Sequence, residues 1–218
     1  MSQLPKGIDL LAKQQPRQER AKRTYETILN SAAELLLEVG VERISTNLIA
    51  ERAGVTVPAL YRYFPNKYAV IHALGVDLMQ RQNSAFQEWL ADVWEAKGPE
   101  GLLAEVPDGL AVVYTVTRDT PGGIEIFNAL RAMAPLRELR IASRREAAVF
   151  LAQQLADFLQ YDLSEPLLLK AHLTVDVACC LVESALEDSP GNVEAILREG
   201  AVMLVSYWSS VFNARALN

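Results

Sequence analysis

Residues 46–67, with the sequence TNLIAERAGVTVPALYRYFPNK, constrain the fold more tightly than any other stretch of the chain. Thr46 is a favourable N-cap for a short helix, and Gly54 stands where such a helix commonly ends in a left-handed residue. Thr56 can cap a second helix. Pro58 suits the first turn of that helix, because the N–H that proline lacks has no helical partner there. Two short helices around a tight glycine turn predict a helix-turn-helix.

The apolar residues of this stretch fall on one side of each short helix. Leu60 and Phe64 are four residues apart, so they share one face of the second helix. They would face Ile49, Ala50 and Ala53 of the first helix across the turn. The small alanines allow the two helices to cross closely, and the opposite side of the second helix is left for another partner.

The outward residues have the chemistry of a DNA-binding surface. Arg62 offers a fork of donors to phosphate or to a guanine edge, and Tyr61 and Tyr63 offer hydroxyls for phosphate oxygens. Lys67, in the first turn of the following helix, can share a phosphate with free backbone N–H groups. The alternative, an ordinary helical corner with solvated aromatics, leaves the agreement of caps, turn and exposed face unexplained. The expected DNA-binding residues are Thr46, Thr56, Val57, Tyr61, Arg62, Tyr63 and Lys67.

A longer pattern surrounds this stretch. It consists of Thr27-Ile28, Ala32-Ala33, Leu35-Leu36, Gly40, Ser45-Thr46, Ile49-Ala50, Ala53-Gly54-Val55, Leu60-Tyr61, Tyr63-Phe64 and Lys67. In type and spacing these residues resemble the DNA-binding domain of the tetracycline-repressor (TetR) family of bacterial regulators, over residues 27–70 of 218. Two departures stand out. Val57 with Pro58-Ala59 replaces a polar or basic residue followed by Gly-Thr, and Arg62-Tyr63 replaces a frequent histidine-containing pair, which places positive charge on the recognition helix.

Helical periodicity continues through the rest of the chain. Apolar residues at three- and four-residue steps predict a first helix over 18–39 that ends at Gly40. Residues 112–117 have strand-like composition, but a lone strand would leave its hydrogen bonds unpaired, so we expect a helix there too. Gly75, inside the fourth helix, is either a packing contact, which we favour, or a flexible point. Further helices are expected over 66–94, 100–118, 124–133, 135–161, 165–187 and 192–213, with a break at Lys97-Gly98-Pro99.

These patterns predict an all-α protein with an N-terminal three-helix helix-turn-helix DNA-binding domain and a C-terminal helical ligand-binding and dimerisation domain. We expect a flexible basic arm over 1–17, the DNA-binding domain over 18–66 and the helical domain over 67–218. Lys and Arg outnumber Asp and Glu by ten to seven in residues 1–70, whereas the acidic residues lead by 20 to 11 in residues 71–218. The net charge of −6 therefore does not exclude DNA binding. Two interpretations of the arm remain: it binds the phosphates or a groove of DNA, or it is a solvated tail.

The helical domain carries aromatic residues suited to a ligand pocket. Their composition favours an apolar or aromatic effector, and the alternative is that they form an ordinary core. His72 and His172 are the only histidines and lie far apart in sequence, so no metal or other cofactor is expected. The chain has no GxSxG or Walker motif, so we do not expect an enzyme. The expected ligand-binding residues are Phe86, Trp89, Tyr114, Phe127 and Arg131.

The two C-terminal helices are apolar on more than one side, which is typical of helices with more than one neighbour. A stripe on each would form a four-helix bundle with a second copy, and the resemblance implies the same dimer. The alternative is that the stripes form the core of one subunit. Cys179 and Cys180 are the only cysteines, and two buried thiols are expected rather than a redox switch. The expected dimer-interface residues are Val175, Cys179, Val182, Met203, Tyr207 and Val211.

Taken together, the sequence predicts a cytoplasmic, sequence-specific transcriptional regulator. No apolar run approaches the ~20 residues that span a membrane, and the N-terminus lacks the apolar core of a signal peptide. A homodimer would bind a palindromic operator with half-site centres ~34–36 Å apart. A small-molecule effector would release it, so that it acts as a repressor. The alternative function is an all-helical dimeric interaction protein without ligand control.

Overall fold

The structure is a computed structural model that describes residues 9–12, 18–159, 162–188 and 191–215. Within these ranges the elements are helices and the chain forms no strand, so the predicted all-α fold class is confirmed. The helices are α1 (Glu19–Arg43), α2 (Thr46–Arg52), α3 (Val57–Tyr63), α4 (Lys67–Asp119), α5 (Gly123–Ala132), a 3-10 turn (Ala134–Leu136), α6 (Arg137–Leu159), α7 (Glu165–Glu187) and α8 (Val193–Arg215).

Two of the long helices are interrupted by a glycine in the left-handed region. Gly40 has φ +72° near the end of α1, and Gly98 has φ +63° inside α4. Glycine adopts this conformation without the steric cost of a Cβ. The predicted end of the first helix and the predicted break at Gly98 are therefore confirmed. The β-branched run 112–117 is helical, as expected, because packing overrides its weak local preference.

The described residues divide into two compact units. The first holds the chain up to Met79 together with Asp119–Ile141, and the second holds Gln80–Arg118 together with the chain from Ala142 onward. The first unit therefore contains the helix-turn-helix, the beginning of α4 and the whole of α5. No helix in the described part of the chain is long and apolar enough to cross a membrane.

Close contacts between backbone and side chains join α5 to the rest of the first unit. Gly122, at the N-terminus of α5, has φ +67°, and a Cβ there would lie 2.9 Å from the carbonyl oxygen of Ala33 in α1. A Cβ on Gly75 of α4 would lie 2.6 Å from Cδ2 of Leu130 and 3.0 Å from Cδ2 of Leu139. Gly75 is thus a packing contact, which is the interpretation that the sequence favoured.

The core of the second unit has two apolar clusters. One is formed by Leu90 and Leu102 of α4 with residues of α6, α7 and α8, including the buried Trp208. The other contains Leu110 of α4 with Val182 of α7 and residues of α8. Trp208 Nε1 donates a hydrogen bond to Thr174 Oγ1 at 2.8 Å, which fixes α8 against α7.

Candidate nucleic-acid interface

The helix-turn-helix begins one residue earlier than the sequence suggested. Ser45, in extended backbone conformation, is the N-cap of α2, and its hydroxyl accepts a hydrogen bond from Leu48 N at 3.3 Å. Thr46 was expected to be this cap, and that expectation is wrong because Thr46 is the first helical residue. Its hydroxyl is instead 3.2 Å from the hydroxyl of Tyr61 in α3. Ser45 and Thr46 can both cap a helix through a hydroxyl, and serine is the more favourable N-cap of the two.

The turn and the second helix follow the predicted pattern. Gly54 has φ +64°. Thr56 is the N-cap of α3, where its hydroxyl accepts a hydrogen bond from Ala59 N at 3.3 Å. Pro58 lies in the first turn. Asn66 then caps α4, because its Oδ1 accepts a hydrogen bond from Ala69 N at 2.9 Å.

The centre of the contact between α2 and α3 is apolar. Leu60, Phe64 and Ile49 have no exposed surface, and Ala50 is 1 % exposed. The ring of Phe64 also stacks on Tyr25 of α1, with centroids 4.9 Å apart. The predicted internal contact is confirmed, and it fixes which side of α3 faces outward.

Tyr63 lies on the inward side of α3. The sequence placed it on the outer face, but it is only 9 % exposed, and its ring meets Tyr25 edge-on at 6.1 Å. That placement was wrong because Tyr63 follows Leu60 by three residues, a spacing that puts both on one helix face. Burial raises the pKa of the neighbouring Tyr25 hydroxyl above its ordinary value.

The outward face of α3 carries the remaining predicted contacts. Tyr61 is 41 % exposed, Arg62 and Thr56 are exposed, and Val57 is half-buried. Val57 and Tyr61 are four residues apart and share one face of the helix. This face presents a hydroxyl, a guanidinium and a small apolar side chain, which are groups that bind phosphates, guanine edges and thymine methyls.

Lys67 has partners of its own in the protein. Its Nζ lies 3.4 Å from Val41 O and 3.5 Å from Glu42 O at the end of α1, and 3.1 Å from Ile44 O in the connection to α2. An ammonium has three N–H donors, so this geometry engages each of them with a carbonyl. Lys67 thus holds the α1–α2 connection, and the predicted phosphate contact would require it to share or exchange these bonds.

An ion pair that the sequence analysis missed joins α2 to α1. Arg52 Nη2 lies 2.5 Å from Glu38 Oε2, Nη1 lies 2.7 Å from Glu38 Oε1, and Nη1 lies 3.5 Å from Glu34 Oε2. The hydrogen bonds from Arg52 hold the pKa of the Glu38 carboxyl below its ordinary value. The partners are 14 and 18 residues apart, so no local spacing rule could have found them.

The N-terminal arm is partly described. The side chain of Asn66 donates a hydrogen bond to Asp9 O at 2.9 Å, so Asp9 lies beside the N-terminus of α4. Residues 1–8 and 13–17 lie outside the described ranges, and with them Lys6, Lys13 and Arg17, the basic residues of the predicted arm.

The residues predicted to bind a ligand belong to both units. Phe86 and Trp89 pack in the second unit with ring centroids 5.9 Å apart, and Tyr114 packs against the other cluster of that unit. Phe127 and Arg131 lie on α5 in the first unit, where Phe127 is buried. A groove of about 250 Å³, which the sequence did not predict, lies in the second unit. It is lined by Leu103, Ala104, Pro107, Arg198, Ala201, Val202, Val205 and Ser206.

The residues predicted to form the dimer interface also separate into two groups. Val175 and Val182 are 8 % and 3 % exposed and belong to the core of their own unit, so their own subunit already covers most of each side chain. Met203 and Tyr207 are exposed, Cys179 is partly buried, and the side chain of Val211 lies outside the described residues. The exposed apolar residues of α7 and α8 are Leu169, Leu173, Val177, Val202, Met203 and Tyr207.

The cysteines are less buried than the sequence indicated. Cys180 is exposed, which contradicts the expectation of two buried thiols. Burial raises the pKa of Cys179 to about 11, so its thiol is protonated and unreactive at neutral pH. Within the described ranges no group of acidic, histidine or cysteine side chains is arranged to hold a metal ion.

Short capped helices, a buried α2–α3 contact and an exposed polar face on α3 define a helix-turn-helix DNA-binding domain. The family model for bacterial regulatory proteins of the tetR family matches residues 28–74. An uncharacterized HTH-type transcriptional regulator of Mycobacterium tuberculosis is 29 % identical over 129 residues, which are 59 % of this chain and 57 % of that protein. The class A tetracycline repressor of Escherichia coli is 37 % identical over 70 residues, 32 % of each chain.

The similarity extends to the fold beyond the DNA-binding domain. The crystal structure of a TetR-family transcriptional regulator from Streptomyces coelicolor has a TM-score of 0.62 and 25 % identity, over 86 % of this chain and 99 % of that one. Residues 28–74 match the DNA-binding domain of the tetR family, and the chain as a whole has the fold of TetR-family regulators. Its relatives are transcriptional regulators, which confirms the prediction that it is not an enzyme. The sequence match covers little more than half the length of the mycobacterial relative.

Proposed function

We propose that the chain is a transcriptional repressor that binds a palindromic operator as a homodimer and is released by a small apolar or aromatic effector. The observation that carries this proposal is the two-sided character of α3. Arg62 and Tyr61 face solvent, whereas Leu60 and Phe64 on the other side are fully buried. A short helix held in this way presents a fixed polar face to a major groove.

In this proposal the exposed side chains of α3 make the base contacts. Arg62 would read a guanine, and Tyr61 would bind a phosphate together with Thr46, whose hydroxyl lies beside it. Thr56 would contact the backbone and Val57 a thymine methyl. Tyr63, being buried, would support the helix from behind.

A second copy of this chain would cover the apolar face of α7 and α8. Leu169, Leu173 and Val177 follow one another at four-residue steps and are exposed by 60 %, 50 % and 37 %. Met203 and Val202 on α8 are exposed by 61 % and 56 %. Monomers rarely expose such a continuous apolar stripe, and a twofold pairing of these helices would bury it in a four-helix bundle.

The effector would bind in the second unit, which holds the aromatic pair Phe86 and Trp89. These rings are partly buried and tilted by 30°, so they offer a flat apolar wall that suits an aromatic ligand. Release follows if the effector binds the DNA-bound dimer more weakly than the free one. Operator DNA lies in the bacterial cytoplasm, where the protein would act.

Selection of bound duplexes from a random-sequence pool tests the proposal. We expect a palindrome whose half-sites repeat at about one helical turn. Arg62→Ala should lose the selected sequence, whereas Arg145→Ala, an exposed arginine of α6 in the second unit, should bind as wild type. Selection of an unrelated set of sequences, or of none, would leave the alternative of a dimeric interaction protein without ligand control.

A further inference from the structure

The short helix α2 is held at both ends by polar side chains. At its C-terminus, Arg52 makes two hydrogen bonds to the Glu38 carboxylate, at 2.5 and 2.7 Å, and a longer one to Glu34. At its N-terminus, the Thr46 hydroxyl is 3.2 Å from the Tyr61 hydroxyl. One end of α2 is therefore tied to α1, and the other end to the recognition helix α3.

The bond between Arg52 and Glu38 constrains orientation as well as distance. A guanidinium that binds both oxygens of a carboxylate forms two parallel hydrogen bonds in one plane, which resists rotation about either bond. Glu34 and Glu38 are one helical turn apart on α1, so they present their carboxylates on the same face. Arg52 is thus seated against two neighbouring turns of α1.

The apolar contact of α2 does not supply the same constraint. Ile49 and Ala50 are fully buried in the middle of the helix, and apolar packing is non-directional. With seven residues, α2 is about 10 Å long, so a small rotation about this central contact would displace both ends. The ion pair at one end opposes that rotation, and it therefore also sets the position of Thr46 at the other end.

We propose that Arg52 is a positioning residue for DNA recognition and does not itself contact DNA. It fixes α2 against α1, and α2 in turn holds the Tyr61 hydroxyl through Thr46. This inference rests on the proposed DNA-binding function. It also distinguishes Arg52 from Arg62, which is exposed on the outer face of α3. Basic residues in a helix-turn-helix are otherwise expected to bind phosphate.

Variants of Glu38 separate the two roles, because they remove a negative charge from the DNA-binding unit. If Arg52 contacts phosphate, Glu38→Gln and Glu38→Arg should bind DNA as tightly as wild type or more tightly. If Arg52 positions the recognition helix, both variants should bind selected DNA more weakly even though each has lost the negative charge of Glu38. The probes are a duplex selected by the wild-type protein and a scrambled duplex of the same composition.

We expect Glu38→Gln and Arg52→Gln each to lower the ratio of selected to scrambled affinity by about three- to fivefold, which corresponds to one exposed ion pair. The salt dependence of Arg52→Gln should stay that of wild type, whereas loss of a phosphate contact would reduce its slope by about one. The exchange Arg52→Glu with Glu38→Arg should restore the ratio. Unchanged ratios in the glutamine variants, or a reduced slope, would overturn the proposal.

A second measurement does not depend on DNA. In a protein with labelled tyrosines, the Tyr61 ring resonance, assigned by comparison with Tyr61→Phe, should shift in Glu38→Gln and return in the exchanged pair. An unchanged Tyr61 resonance in Glu38→Gln would contradict the positioning role even if the wild-type protein selected no duplex. Failure of the wild type to select DNA, with the resonance shifted as expected, would instead contradict only the proposed function.

Discussion

Replacement of Gly122 by alanine tests how firmly α5 is bound to the DNA-binding unit. Two costs combine at this position. Its φ of +67° lies in the left-handed region, where a residue with a Cβ is less stable by about 1–2 kcal/mol. The new Cβ would also stand 2.9 Å from the carbonyl oxygen of Ala33. Because this atom belongs to the backbone of α1, it cannot rotate away, and overpacking adds about 1–3 kcal/mol.

Gly54 is the matched control, because it has φ +64° and a Cβ added there would have no neighbouring atom within 4 Å. Gly54→Ala should therefore lose about 1–2 kcal/mol in free energy of unfolding, and Gly122→Ala about 2–5 kcal/mol. Urea denaturation followed by circular dichroism gives both values, and hydrogen exchange should show faster exchange in α1 and α5 of Gly122→Ala. Equal losses in the two variants would refute the close contact between α5 and α1.

Five further substitutions test three other features of the structure. Tyr63→Ala should lose about 3–5 kcal/mol of stability in thermal melts, because the Tyr63 ring is buried. Tyr61→Ala should keep the wild-type melting temperature and lose DNA affinity in gel shifts. A Tyr63→Ala protein as stable as wild type would contradict the inward position of Tyr63. Lys67→Ala should lower the unfolding free energy by about 1–2 kcal/mol, measured in urea, because three carbonyls lose their donor; wild-type stability would mean that these bonds are not needed. Met203→Asp should give folded monomers in sedimentation, whereas Val182→Asp should unfold because it places a charge in the core. A folded, dimeric Met203→Asp protein would exclude the α8 face as the dimer interface.

The local signals of the helix-turn-helix were sufficient to predict it. Thr56 and Asn66 each accept a hydrogen bond from the backbone N–H three residues ahead, and Gly54 adopts the left-handed conformation of the turn. These features are local, so sequence spacing is sufficient to predict them. The side of α3 on which Tyr63 lies was harder to predict, because a seven-residue helix holds too few apolar positions to define its buried face. The bond between Arg52 and Glu38 joins residues from different helices, and only the packed structure brings them together.

The two C-terminal helices show a different limit of sequence analysis. Val182 and Leu173 have similar hydrophobicity, yet one is buried in the core and the other is 50 % exposed. A helix with apolar residues on two sides gives no indication of which side its own subunit covers. The predicted interface therefore included core residues. The exposed face of α7 and α8 can be identified only from the packed structure.

The composition of the first unit has a consequence for exchanging DNA-binding specificity between relatives. This unit is assembled from two separate stretches of chain, one that ends at Met79 and one that runs from Asp119 to Ile141. A graft cut at residue 66 would import α1 without the α5 that packs against it in this chain, and the backbone at Ala33 would meet a foreign turn in place of Gly122. A fragment ending there would leave that side of α1 open to water. Specificity transplants should therefore carry the second stretch along with the first.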